Sequence, residues 1–99
     1  MKIIITESQY EMLQMRQWVL RRYDLVIGLY SEAVKEIDPC KYDDCESYVI
    51  NVVYYIMNEL HPYYHLIDDF DYESLSDIIF SMFNRKLTEI CFKKSKNCQ

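Results

Sequence analysis

The stretch that decides the fold is "DPCKYDDCESYVINVVYYIMNELHPYYH", residues 38–65. Its letters contain Cys40-x4-Cys45, fifteen further residues, and then His61-x3-His65, the outline of a two-cysteine, two-histidine zinc site. Its hydrophobic pattern says otherwise. Tyr48, Val49, Val52, Val53, Ile56, Met57 and Leu60 recur at helical steps, while Glu46, Asn51, Asn58 and Glu59 occupy the other side. That spacing predicts one helix over 44–61 with a wide apolar face. Asp43 or Asp44 caps its start, and Pro62 is expected to stop it. In such a helix Cys45 and His61 stand about 24 Å apart, at about 1.5 Å per residue. Zinc holds its donors at about 2.0–2.3 Å, so the two pairs converge on one ion only if the helix is destroyed. A core helix is therefore the expectation, with no metal and no other cofactor. Cys40, Cys45, His61 and His65 remain the alternative, as ligands of a small zinc-binding regulator.

Upstream, Val26, Leu29, Tyr30, Ala33, Val34 and Ile37 give a second helical pattern, predicted over 24–37. Asp24 either caps it or lies in a kinked continuation of the helix before it. Asp38-Pro39 ends it, because proline disfavours helical geometry at the residue before it. Gly28 inside this run costs about 1 kcal/mol relative to alanine, which close packing against a neighbour would explain. Further back, Thr6 and Gln9 form a capping-box pattern that opens a helix over 7–22. Tyr10, Leu13, Gln17 and Leu20 run along one side of it, with Met12, Met15, Trp18 and Val19 close by. Arg21 and Arg22 oppose the negative end of its dipole. "KIII" before it, residues 2–5, reads as a short extended segment.

Downstream, "YYHLIDDF" is expected to be an irregular connection, and Asp71 caps a last helix over 72–92. Leu75, Ile78, Ile79, Met82, Phe83, Leu87, Ile90 and Cys91 form its stripe. "CKYDDC" reads as a loop, and the tail "KKSKNCQ" as a frayed end. Four amphipathic helices must cover each other's stripes. The expected product is all-α: a single domain over 1–99, a compact bundle of about four helices with a short extended N-terminal segment.

The bulk composition agrees. Of 99 residues 51% are apolar and 27% charged, with one glycine and two prolines, so few turns are marked. The net charge of −5 is unevenly spread: residues 1–22 carry +2, residues 23–77 carry −11 and residues 78–99 carry +4. Basic ends around an acidic middle can attract within one chain or between copies. The acidic middle repels phosphate, which disfavours direct nucleic-acid binding. The same block can mimic nucleic acid toward a basic partner, or serve simply as a solvated face. The longest apolar run, "YVINVVYYIM", is interrupted by Asn51 and spans about half a membrane. "MKIIIT" turns polar too early for a secretory signal. The expectation is a soluble protein in a reducing cytosol with four free thiols, Cys91 being a buried, inert one.

No catalytic constellation stands out. "DDFDYESLSD" places Asp69, Asp71 and Glu73 like the start of a calcium loop, but Ser74 replaces the turn glycine and Phe80 the bidentate glutamate. Phosphate-loop, dinucleotide and serine-hydrolase motifs are missing, and a non-enzymatic protein is expected. The aromatic content suggests protein contacts instead. Ten tyrosines are present, including Tyr54-Tyr55 and Tyr63-Tyr64, and one helix face cannot bury adjacent residues. Half-wet tyrosines are enriched at interfaces. The candidate partner-binding residues are Lys2, Ile3, Ile4, Ile5, Trp18, Arg21, Arg22, Tyr54, Tyr55, Tyr63 and Tyr64. The first four would act as an apolar strap or an added strand.

"KIIITESQYEML", "RRYDLVIGLYSEAV" and "DPCKYDDCESYV" together resemble small acidic proteins of tailed bacteriophages, which open with an I-T-E-x-Q segment and continue through a paired-arginine helix to an acidic, tyrosine-containing loop. The resemblance spans most of the chain and carries no catalytic residues. It implies a virus-encoded virion structural or assembly protein, found in the host cytoplasm and then in the particle. Its partners would be virion subunits or copies of itself, with no membrane. The alternative is an acidic phage effector that blocks a basic site on a host protein.

Overall fold

The computed structural model describes residues 7–65 and 71–98. The extended segment expected over residues 2–5, with Lys2, Ile3, Ile4 and Ile5, and the Thr6 half of the capping box lie outside the described residues. Four helices follow in order: α1 (Glu7–Arg21), α2 (Tyr23–Glu36), α3 (Cys45–Tyr64) and α4 (Tyr72–Ser95), with a short 3-10 turn over Pro39–Lys41 between α2 and α3. Among the described residues there is no strand. The all-α bundle expected from the periodicities is the fold.

α3 and α4 form the central pair. Both start on an aspartate. Asp44 accepts a hydrogen bond from the Ser47 N–H at 2.7 Å. Asp71 accepts from the Glu73 N–H at 3.1 Å and from the Ser74 hydroxyl at 2.6 Å. These bonds satisfy donors that the first turn leaves unpaired and hold both carboxyls below the usual aspartate range. For Asp44 the leading cause is the Ser47 backbone bond, and for Asp71 it is the Ser74 side chain. The two helices run antiparallel in a fixed register: Tyr64 meets Tyr72 at one end, rings 6.4 Å apart, and Cys45 is bonded to Cys91 at the other. Nineteen residues separate the paired positions on each helix, so the register closes at both ends.

The core is the apolar face of α3 against α4 and α2. Tyr48, Val49, Val52, Val53, Ile56, Met57 and Leu60 are buried, facing Leu75, Ile78, Ile79, Phe83, Leu87 and Cys91, with Val26, Leu29 and Ala33 from α2. Tyr30 stacks on Phe83 at 4.5 Å between ring centroids. No charged or polar residue is buried among the described residues. Tyr48 is the one buried compromise. Its ring is fully covered, with Tyr42 edge-on at 6.2 Å, and its hydroxyl is buried with no hydrogen-bond partner. Desolvation, then Tyr30, Asp38 and Tyr42, pushes that hydroxyl above the ordinary tyrosine range. A buried unpaired hydroxyl costs about 1–3 kcal/mol. Tyr48→Phe is therefore expected to be neutral or to raise stability by about 1 kcal/mol in urea unfolding, and a clear loss would mean that the hydroxyl has a partner.

Two expectations, those for Pro62 and Gly28, are corrected here, and those for Asp24 and the loop are made definite. Pro62 does not stop α3, which runs on to Tyr64. In the last turn proline's missing N–H deprives only the Asn58 carbonyl, and Asn58 is exposed to water. The first two helices part at a single residue, Arg22, with no side-chain cap; Asp24 lies in the first turn of α2 and does not cap it. "CKYDDC" begins with a 3-10 turn in which Pro39 is buried and Asp38 accepts from the Cys40 N–H at 2.9 Å. Gly28 is not closely packed: it is exposed, and a Cβ there would meet nothing within 4 Å. Gly28→Ala is accordingly expected to stabilise the protein by about 0.5–1 kcal/mol, read as a raised denaturation midpoint with an unchanged slope.

The largest correction concerns the cysteines. None of the four is free: Cys40 pairs with Cys98 and Cys45 with Cys91. The Cα–Cα distances of 5.5 and 5.7 Å lie within the range that a disulfide spans. Cys91 is buried as expected, but as half of a crosslink. The C-terminal tail is anchored too. Helix α4 continues to Ser95, and Cys98 ties the tail to the 3-10 turn.

Candidate interaction surface

The four letters of the zinc pattern separate in space. Cys40 and Cys45 are taken up in disulfides, while His61 and His65 sit in and just beyond the last turn of α3, at the opposite end of that helix. No group of three or more metal-donor side chains is assembled among the described residues.

Of the candidate partner-binding residues, those among the described residues divide into three sets. Arg21, Tyr54 and Tyr63 are exposed, Tyr54 and Tyr63 by about half of their surface. Trp18 and Arg22 are half-buried and engaged with each other: the Arg22 guanidinium lies 4.2 Å from the indole centroid and donates to the Trp18 carbonyl at 3.2 Å. That contact closes the C-terminal turn of α1. Tyr64 belongs to the core and Tyr55 is half-buried. Burying Tyr55 and exposing Tyr54 is the alternation that adjacent helical positions require.

The strongest surface feature is on α1. Met15 and Val19 are buried against the core, with Met12 packed beside them. Tyr10, Leu13 and Leu20 are exposed, at 54%, 47% and 65%, although the sequence pattern places them on the helix's leading apolar side. Spacings of three and seven residues keep them on one stripe. α1 thus has two apolar arcs and covers only one. Tyr23, at the start of α2, is 48% exposed.

Beside this stripe a groove of about 350 Å³ runs between α1 and α4. Met12, Val19 and Leu20 form one wall, Ile78 and Met82 the other, and Arg16 and Asp77 bring opposite charges to its lining. The sequence reading missed it, because Met82 reads as core and only the crossing of α1 over α4 leaves space beneath Leu20. The signal was present in the composition of α1, where apolar residues exceed what one buried stripe needs.

A second exposed feature is acidic. Glu32 and Glu36 on α2 and Glu59 on α3 are exposed around Tyr55. Desolvation first, and then these carboxylates, pushes the Tyr55 hydroxyl above the ordinary tyrosine range. No helix among the described residues is long and apolar enough to cross a membrane. Comparison with known proteins matches no family model, no curated protein and no solved structure.

Proposed function

We propose that this chain is a non-enzymatic structural or assembly protein that docks on neighbouring protein subunits through the outer face of α1. The observation that carries the reading is the uncovered stripe Tyr10, Leu13 and Leu20 beside the groove over Ile78 and Met82. Exposed leucines on a helix already anchored by its opposite side suit a surface that another subunit completes. The resemblance to tailed-phage proteins favours a virion subunit as that neighbour, or a second copy of the chain. Two disulfides add a condition: such crosslinks persist where the surroundings do not reduce them. An assembled particle or another oxidising environment suits this chain better than a reducing cytosol.

Leu13→Asp with Leu20→Asp is the test. Both side chains are exposed, so helical content should stay unchanged. The unaltered protein is expected to self-associate, or to sediment with assembled particles, and the double variant to lose that association by at least about tenfold. An unaltered chain that stays monomeric and sediments with no particle would overturn the proposal.

The acidic ridge supports a second reading, an effector that occupies a basic site on another protein. Reversing Glu32, Glu36 and Glu59 to lysine would abolish such capture, whereas the two leucine substitutions would leave it intact.

A further inference from the structure

The histidine half of the opening pattern has a geometry of its own. We propose that His61 and His65 form a two-imidazole site for a divalent transition-metal ion, Cu²⁺ ahead of Ni²⁺ and Zn²⁺, with water completing the coordination.

Four observations converge on this pair. The spacing is set by the backbone: helical hydrogen bonding continues through His65, whose N–H donates to the His61 carbonyl at 3.0 Å. Residues four apart on a helix share one face. The two rings are stacked, centroids 5.1 Å apart and planes within 16°. Donors bound to one ion at about 2.0–2.1 Å stand close together, so chelation swings the two exposed rings out of the stack until one nitrogen of each faces the ion.

The protonation pattern also fits. Nδ1 of His65 lies 3.0 Å from the His61 carbonyl oxygen. A carbonyl only accepts, so this nitrogen carries the proton, and Nε2 keeps its lone pair facing away from the backbone. Metal-binding histidines are commonly held this way, one nitrogen donating to a carbonyl and the other ligating.

Exposure and polarity supply the rest. Both histidines are exposed, leaving room for water ligands. They stand at the carbonyl end of α3, where the helix dipole favours a cation. Two nitrogens plus oxygen suit the tetragonal geometry of Cu²⁺ and Ni²⁺, and the general order of affinities places Cu²⁺ first. With all four cysteines bonded in disulfides, no thiolate competes for the ion.

The test is calorimetric titration of the oxidised, full-length protein with copper, nickel and zinc chloride, together with the electron paramagnetic resonance spectrum of the copper form. One Cu²⁺ per chain is expected, with nitrogen ligation in the spectrum and weaker binding of Ni²⁺ and Zn²⁺. His61→Ala and His65→Ala should each weaken Cu²⁺ binding by about 10- to 100-fold, because each leaves a single imidazole in place of a chelating pair. Tyr63→Ala, at an exposed neighbour, should leave it unchanged, and circular dichroism should show all three variants folded. Copper affinity that survives both histidine substitutions, or a protein that binds no Cu²⁺, would overturn the site.

Discussion

In a chain whose Cys40 and Cys98 are already alanine, replacing Cys45 and Cys91 as well is expected to lower the unfolding free energy by about 4 kcal/mol. The two residues are 46 apart in sequence, and crosslinking a loop of that length removes about 4 kcal/mol of chain entropy from the unfolded state at room temperature. A domain of this size has about 5–15 kcal/mol in total. The substitution therefore consumes a large share, and the melting temperature should fall by roughly 16–32 °C. Cys40–Cys98 encloses the first crosslink. Once Cys45–Cys91 is in place, it closes only the short ring made by residues 40–45 and 91–98. Its own removal should cost less, about 3 kcal/mol. Full reduction should lose both contributions and bring the protein close to unfolding. Urea titration of the Cys40/Cys98 double variant and of the quadruple variant measures the two steps, about 3 and then about 4 kcal/mol, and a first step near zero would contradict a crosslink between Cys40 and Cys98.

Leu60→Ala is expected to cost about 3 kcal/mol. Leu60 is fully buried in the face that α3 turns to the core, near the end that no disulfide holds. Truncation of a buried leucine loses both transfer energy and the packing of its neighbours, about 2.7–5 kcal/mol in well-packed cores. The disulfides do not protect this end, because they lie about 22 Å away along the helix, at about 1.5 Å per residue. Leu20→Ala on α1 is the contrast: at 65% exposure it should change stability by less than about 0.5 kcal/mol. Similar costs for the two would mean that α1 is turned differently on the bundle.

The parts of this fold that were legible in the sequence are those where one residue settles the matter locally. Asp71, and one of the pair Asp43 and Asp44, were legible as caps because an aspartate before an apolar-periodic run satisfies donors that nothing else reaches, and the structure settles on Asp44. The stripes of α3 and α4 show because both helices bury a single broad face. What stayed hidden depends on relations between helices. α1 carries two apolar arcs, and only the surface offered by α4 decides that Met15 and Val19 go inward while Leu13 and Leu20 stay out. Pro62 reads as a stop, but a proline in the last turn offends one carbonyl, and that carbonyl belongs to a residue facing water. Gly28 reads as a packing glycine, yet no neighbour approaches it. The cysteines were misjudged because pairing follows from the α3–α4 register, which brings Cys45 opposite Cys91, and spacing along the chain does not display that register. Of the candidate surface, Tyr54 and Tyr63 were legible as exposed aromatics, whereas the groove beside Leu20 was not, because it exists only where α1 crosses α4.

Peptide mass mapping of the protein, alkylated without reduction and then digested, decides whether the cysteines bind helix ends together or hold an ion. Two linked peptides are predicted, one joining Cys40 to Cys98 and the other Cys45 to Cys91, with no alkylated cysteine. Alkylated Cys40 and Cys45 that become protected when zinc is added would contradict that pairing.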